Sequence, residues 1–313
     1  MIFFGAGASQ PFGIPTLKKM SELVFIEMEK KGYGDILIQI KDSLTNFNMP
    51  INFESVYTIL EGLNNPEKGI KQAGPFAAYL LKEKKERLKK DDLEELLLLS
   101  KKIVYDNCNI KNNEIKNMIS TYDELFLLLH KLNIQENIIY TGSNLILNIG
   151  KIIATTNYDM SLELYFTSKK YRPIDGFIST PGETDIYTKK FAWNIIYNPL
   201  NMGDFQNNPL IIKLHGSIWQ YEQKNPITGK VSLIKTNIDP KSFPIPILIE
   251  KEMMIYPTKE KEILSENYYH FYNCYKNIIW DKLLVIGYSF NDDPINLVIE
   301  ENMKNNEKAQ IIT

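Results

Sequence analysis

Three side chains able to share one reaction stand just past two short apolar runs. Asn157 and Asp159 lie in Thr155-Thr156-Asn157-Tyr158-Asp159, behind the run Ile149 to Ala154. His215 lies in Lys213-Leu214-His215-Gly216-Ser217, at the end of the run Leu210 to Leu214. An imidazole can exchange protons near neutral pH, and an amide and a carboxylate can orient polar groups beside it. Each residue also has a purely structural reading. Asn157 and Asp159 are turn formers whose side chains cap local backbone groups, and His215 suits a hydrogen-bonded structural histidine.

Shared chemistry requires the three to converge, and the apolar runs supply a means. Runs of this length read as buried strands of a parallel sheet. In an open α/β sheet, ligands bind outside the carboxyl ends of the strands, so residues leaving those ends face a common crevice. A third strand is expected at the N-terminus, turning through Gly5-Ala6-Gly7-Ala8-Ser9 to Gly13-Ile14-Pro15. A fourth is Leu283 to Ile286, ending at Gly287-Tyr288-Ser289, and Gln310 to Thr313 reads as a fifth. Between the first strand and residue 148 the pattern is helical. Apolar positions recur at three and four in Phe53, Val56, Tyr57, Leu60 and Leu63, and in Leu93, Leu96, Leu97, Ile103 and Val104. A further run, Tyr122 to Leu132, follows Ser120 and Thr121, which suit an N-cap.

The expected fold is therefore α/β, a Rossmann-like parallel sheet with a large helical insertion after the first strand. Its sheet part spans about residues 1–17 and 148–313 and its insertion about 18–147. Both ends of the chain fall inside apparent strands, which suits a piece of a longer polypeptide.

Composition limits the function classes. The 313 residues are 44% hydrophobic and 12% aromatic, a globular balance. A formal charge of -2 gives no electrostatic case for direct nucleic-acid binding or for an anionic membrane surface. Arginine occurs only at Arg87 and Arg172, so a phosphate would rest on main-chain N–H groups, hydroxyls or lysine. The basic run Lys82 to Lys90 reads as a solvated face. Cys108 and Cys274 stand far apart, which excludes a cysteine-built zinc ribbon and fits a reducing compartment. No targeting segment or membrane-length apolar run is visible, so a cytoplasmic location is expected.

Gly5-x-Gly7 between a strand and a helix suits a pyrophosphate, because the backbone can approach closely and a helix start offers N–H groups. A plain turn explains it equally well. Gln10 replaces the third glycine of the dinucleotide fingerprint and no strand-end acid follows, which disfavours an ordinary dehydrogenase. Asn291 to Asp293 reads as a helix cap with Pro294 in the first turn, and Ser289 as a ribose or phosphate contact or as part of that turn. No Gly-x-Ser-x-Gly elbow is present, so serine-hydrolase readings fall away.

Taken in order, Gly-Ala-Gly-Ala-Ser with Gly-Ile-Pro, Thr-Asn-Tyr-Asp, Lys-Leu-His-Gly-Ser, and Gly-Tyr-Ser with a following Asp resemble the sirtuin-like superfamily. More narrowly the chain looks like the sirtuin-like domains of bacterial anti-phage defence, which hydrolyse NAD+. The resemblance implies that Gly5, Ala6, Gly7 and Ser9 cradle the dinucleotide phosphates and that Pro15 covers the nicotinamide end. It places Thr156 in the cofactor-binding strand-end motif. It implies that Asn157 positions the nicotinamide ribose or an attacking water, that Asp159 holds the carboxamide, and that His215 is the catalytic base. Gly287 and Ser289 then lie near the adenosine half.

The departures narrow the subfamily. Gln220 to Ile255, where deacylases carry a four-cysteine zinc ribbon, contains no cysteine and reads as a hairpin turning at Asn225 to Gly229. Thr16-Leu17-Lys18 replaces the deacylases' Asp-Phe-Arg. The implied reaction is cleavage of NAD+ to nicotinamide and ADP-ribose with no metal, through a ribose with oxocarbenium character. A protein deacylase, an ADP-ribosyltransferase and a non-catalytic NAD+ or ADP-ribose-binding module remain open alternatives. A defence effector that depletes NAD+ would need restraint, so a homo-oligomer or a regulatory partner is expected.

Overall fold

The computed structural model describes residues 1–64, 89–131, 139–141, 144–146, 152–171, 173–175, 177–179, 184–187, 208–224, 231–236, 250–255 and 266–313. At its centre is a five-stranded parallel sheet formed by β1 (Ile2–Phe4), β4 (Ile152–Thr155), β7 (Leu210–Lys213), β11 (Lys282–Ile286) and β12 (Gln310–Ile312). The spatial order is β12-β11-β1-β4-β7. Ile2 stands opposite both Leu284 and Ile153, so the three-residue β1 is hydrogen-bonded on both sides.

Period-two alternation divides the core between the two faces of this sheet. Ile2 and Phe4 of β1, Ile153 of β4, Ile211 of β7 and Leu284 of β11 join the apolar cluster under the N-terminal helices. Phe3, Ala154, Ile212 and Val285 face the other way. Phe3 and Phe4 are 0% and 1% exposed, and burial of side chains this large stabilises by about 1.5–3 kcal/mol each.

Among the described residues, five helices lying between β1 and β4 cover the first face. They are α1 (Leu17–Lys30), α2 (Gly34–Asn46), α3 (Phe53–Asn64), α4 (Lys90–Cys108) and α5 (Ile115–Lys131). Met20, Val24 and Met28 of α1, and Leu37, Ile40 and Leu44 of α2, carry the buried stripe at helical spacing. The short α6 (Ser161–Ser168) packs on the same face through Leu162, Tyr165 and Phe166. The second face is covered by α7 (Glu266–Lys276) and α8 (Asp293–Asn305), through Phe271, Tyr272 and Tyr275 and through Ile295, Val298 and Ile299.

The sequence expectation needs two corrections within the insertion. The third helical run does not begin at Ser120 and Thr121, because α5 starts at Ile115 and both residues are inside it. Thr121 Oγ1 donates back to Asn117 O at 2.9 Å, the interior use of a residue that resembles a cap. Met118, buried with Tyr122 and Phe126, gains its place in the core only if the helix starts earlier. Nor is the stretch helical as far as Leu147, since β2 (Ile139–Thr141) and β3 (Asn144–Ile146) pair as an antiparallel ribbon. Of the basic run, residues 82–88 lie outside the described residues. Lys89 precedes α4 and Lys90 opens it, 3.7 Å from Glu94 on an exposed surface.

A second, antiparallel sheet has the order β10-β8-β9-β6-β5. It comprises β5 (Phe177–Ser179), β6 (Thr184–Tyr187), β8 (Gly216–Lys224), β9 (Val231–Thr236) and β10 (Glu250–Ile255). Strands β8 and β9 form the expected hairpin, with Lys224 opposite Val231, and the expected turn Asn225 to Gly229 lies outside the described residues. No helix among the described residues is long and apolar enough to cross a membrane.

The chain lays β1, β4 and β7 outward in one direction, then β11 and β12 in the other. The connections after β1 and β11 therefore leave towards opposite faces, so the carboxyl edge between them is the switch point at which open α/β sheets bind their ligands.

Candidate functional site

At that edge the loop after β1 lies directly against the turn after β11. Gly5 N donates to Ile286 O and Gly7 N to Gly287 O, both at 2.9 Å. Only glycine permits this approach. A Cβ on Gly5 would stand 2.4 Å from Tyr288 Cα, and one on Gly287 would stand 2.2 Å from Ala8 N. Gly287 also has a left-handed φ of +65°, which side chains disfavour. The loop continues as a 3-10 segment, Ala6–Phe12, that leaves Ala6 and Gly7 partly exposed. Ser9 is fully buried. Pro15 is half-buried between this segment and α1, whose N-cap is Thr16.

The end of β4 is organised by side chains. Thr156 N donates to Phe4 O at 3.2 Å, and Asn157 N to Thr155 Oγ1 at 3.0 Å, which bends the chain out of the sheet. Asn157 Nδ2 donates to Ser9 Oγ at 2.9 Å and so ties this turn to the glycine loop. Asn157 is 8% exposed, and its Oδ1 is buried without a hydrogen bond. Asp159 is 1% exposed. One of its oxygens accepts from Ser161 N at 2.9 Å at the start of α6, and the other makes no hydrogen bond. Burial pushes the Cys108 thiol and the Tyr122 phenol up, and the negative Asp159 adds to both shifts. The carboxylate thus lies within electrostatic reach of α4 and α5.

Beneath this turn runs Lys213, the last residue of β7 and 1% exposed. Its ammonium donates to Asn157 O at 3.3 Å and to Asp159 O, and stands 3.5 Å from the buried Glu163 carboxylate. Sequence reasoning passed over Lys213, although a lysine ending a fully apolar strand was a legible signal.

His215 occupies the pivot between the two sheets. Leu214 N donates to Thr155 O at 2.8 Å, the last bond between the ends of β4 and β7. Gly216 then turns away with a φ of +82°, and β8 begins there. His215 is 5% exposed, with Nε2 2.7 Å from Asp292 Oδ2 and Nδ1 3.7 Å from Glu54 Oε1. Tyr158, from the β4 turn, donates to Glu54 Oε1 at 2.9 Å, and its ring centre lies 6.2 Å from the imidazole. Ser217 Oγ donates to Tyr158 O at 3.2 Å and to Met160 Sδ at 2.8 Å, so it serves the turn.

Asp292 and Glu54 were not singled out as site residues. The helix-cap reading of Asp292 is correct, since its Oδ1 accepts from Ile295 N at 3.3 Å, but the other oxygen meets His215. Glu54 was hidden among the apolar positions of α3. Ser289 is exposed and accepts from Asn291 Nδ2 at 3.0 Å within its own turn. The structure thus links Gly5, Gly7, Ser9, Thr156, Asn157, His215 and Gly287 by contacts around one edge. Asp159 is buried behind the β4 turn. The side chains of His130 and His270 lie outside the described residues. Among the described residues, no group of three or more His, Cys, Asp or Glu is arranged to hold a metal ion.

A family model described as the SIR2-like domain matches residues 151–312, more than half of the chain. The matched span contains Asn157, Asp159, His215, Gly287 and Ser289, and the glycine loop Gly5 to Ser9 precedes it. No curated protein matches the chain.

Proposed function

Since the chain belongs to the SIR2-like family, whose domains act on NAD+, we propose that it is an NAD+ glycohydrolase releasing nicotinamide and ADP-ribose. The observation that carries this reading is the Ser9 to Asn157 hydrogen bond, which joins the glycine loop to the β4 turn. It sets the glycine loop, with Ala6 and Gly7 partly exposed, beside an amide whose Oδ1 makes no hydrogen bond.

In this reading the pyrophosphate lies along the loop of Gly5, Ala6 and Gly7, where Ala6 and Gly7 are partly exposed, Ser9 supports the loop, and Pro15 closes over the nicotinamide end. Thr156 and Asn157 hold the nicotinamide ribose, and Asp159 orients the carboxamide. Gly287 and Ser289 border the adenosine half. Water replaces nicotinamide at the anomeric carbon. The C–N bond breaks with its electron pair going to the nicotinamide nitrogen, and His215 takes the proton that water loses. Water is favoured over an acyl-lysine because Gln220 to Ile255 holds no cysteine for a zinc ribbon. The biological reading is a cytoplasmic anti-phage effector that depletes NAD+, restrained by self-association or by a partner until triggered.

The test is nicotinamide release from NAD+ by the purified chain. His215→Ala and Asn157→Ala are each expected to lower turnover by at least about 100-fold while far-UV circular dichroism stays unchanged. Undiminished turnover in both variants would sink the assignment.

A further inference from the structure

A second oxygen of a helix cap rarely reaches across a sheet edge, yet Asp292 Oδ2 stands 2.7 Å from Nε2 of a histidine 77 residues earlier. Both partners are buried, at 6% and 5% exposure. The carboxylate is itself fixed. Its Oδ1 accepts from Ile295 N, Pro294 follows in the first turn of α8, and the main-chain carbonyl of Asp292 accepts from Tyr288 OH at 3.4 Å. Burial and the nearby Asp292 charge hold the Tyr288 phenol in its protonated, donating form.

A carboxylate can only accept, so Nε2 must carry the hydrogen. This holds whether the ring is neutral or charged. The nitrogen whose proton can come and go is then Nδ1, which faces Glu54 of α3 and the side of Tyr158. We propose that Asp292 is a positioning residue that fixes His215 in the Nε2-protonated form and makes Nδ1 the proton-accepting atom. The catalytic consequence rests on the NAD+ hydrolase reading; the tautomer does not.

Asp292→Asn separates positioning from structure. Asparagine caps a helix as well as aspartate does, so the bond to Ile295 N is retained. Its amide then presents a donor to Nε2, which drives the ring proton to Nδ1. Turnover is expected to fall by roughly 10²–10⁴-fold, as when a comparable orienting carboxylate is replaced, while KM for NAD+ and the melting temperature stay near the parent's. Asp292→Ala, which also removes the cap, should lower turnover and melting temperature together. Long-range imidazole nitrogen NMR on the full chain reads the tautomer directly. With three histidines in the sequence, His215→Gln identifies the signals. An Nε2-bound proton in the parent and an Nδ1-bound one in Asp292→Asn supports the proposal, even if no NAD+ is consumed, in which case the hydrolase reading alone fails. A parent whose neutral His215 carries its proton on Nδ1 overturns it, as does an Asp292→Asn enzyme with parental turnover.

Discussion

The β1/β11 end and the β4/β7 end of the parallel sheet share its carboxyl edge but are built from different materials. The β1/β11 end is main chain against main chain, with Gly5 and Gly7 bonded to Ile286 and Gly287. The β4/β7 end is a network of buried side chains, with Lys213 under the carbonyls of Asn157 and Asp159 and beside Glu163. A seam without side chains rests on main-chain contact and is vulnerable only to added atoms. A polar network places particular functional groups and is vulnerable to any that are removed. Each end therefore fails in its own way, and substitutions can tell them apart.

The largest effect is expected at the network. Lys213→Met removes a buried cation from beside Glu163 and from under two carbonyls, at a cost of about 3–5 kcal/mol by urea unfolding. Replacing Glu163 with methionine as well should recover part of the loss, because the carboxylate that faced the lysine is gone. A single-variant loss below about 1 kcal/mol would show that the network does not hold the β4 turn.

The seam should break more gently and for a different reason. Gly287→Ala combines a left-handed backbone with a Cβ 2.2 Å from Ala8 N, which is expected to cost about 2–3 kcal/mol. Gly13→Ala is the internal control, since Gly13 has a φ of +79° but open space around the added Cβ. Its cost should be about 1 kcal/mol. The difference between the two melting curves measures the close approach alone, and equal costs would mean that the seam has room for a side chain.

The same contrast explains what the sequence revealed. The seam was legible because it is written in glycines next to short apolar strands; β7 and β12 lie within the runs that announced them, while β4 runs one residue past its run to Thr155 and β11 starts one residue before its run at Lys282. Asn157 and His215 were legible as polar residues at strand ends. The network was less so, because its partnerships are long-range. Nothing local to Asp292 distinguishes a cap from a cap that also holds His215, and Glu54 sits in α3 at a spacing set by its apolar neighbours. The start of α5 was misplaced because Thr121 has the side chain of a cap, while the burial of Met118 that decides the helix start depends on the rest of the core. The second sheet was foreseen only as one hairpin, since antiparallel pairing between β6 and β9 leaves no local mark on the chain.

An effect smaller than that of Gly287→Ala is expected at a side-chain hydrogen bond that joins the two ends, from Asn157 Nδ2 to Ser9 Oγ at 2.9 Å in a fully buried position. Ser9→Ala strips a buried amide of its acceptor and is expected to cost about 1–2 kcal/mol. A double-mutant cycle with Asn157→Ala decides whether seam and network act as one unit. Direct contact predicts a coupling of about 1 kcal/mol in unfolding free energy. Strict additivity would mean that this bond does not couple the two ends, which would then be held together by Thr156 N on Phe4 O and by His215 on Asp292.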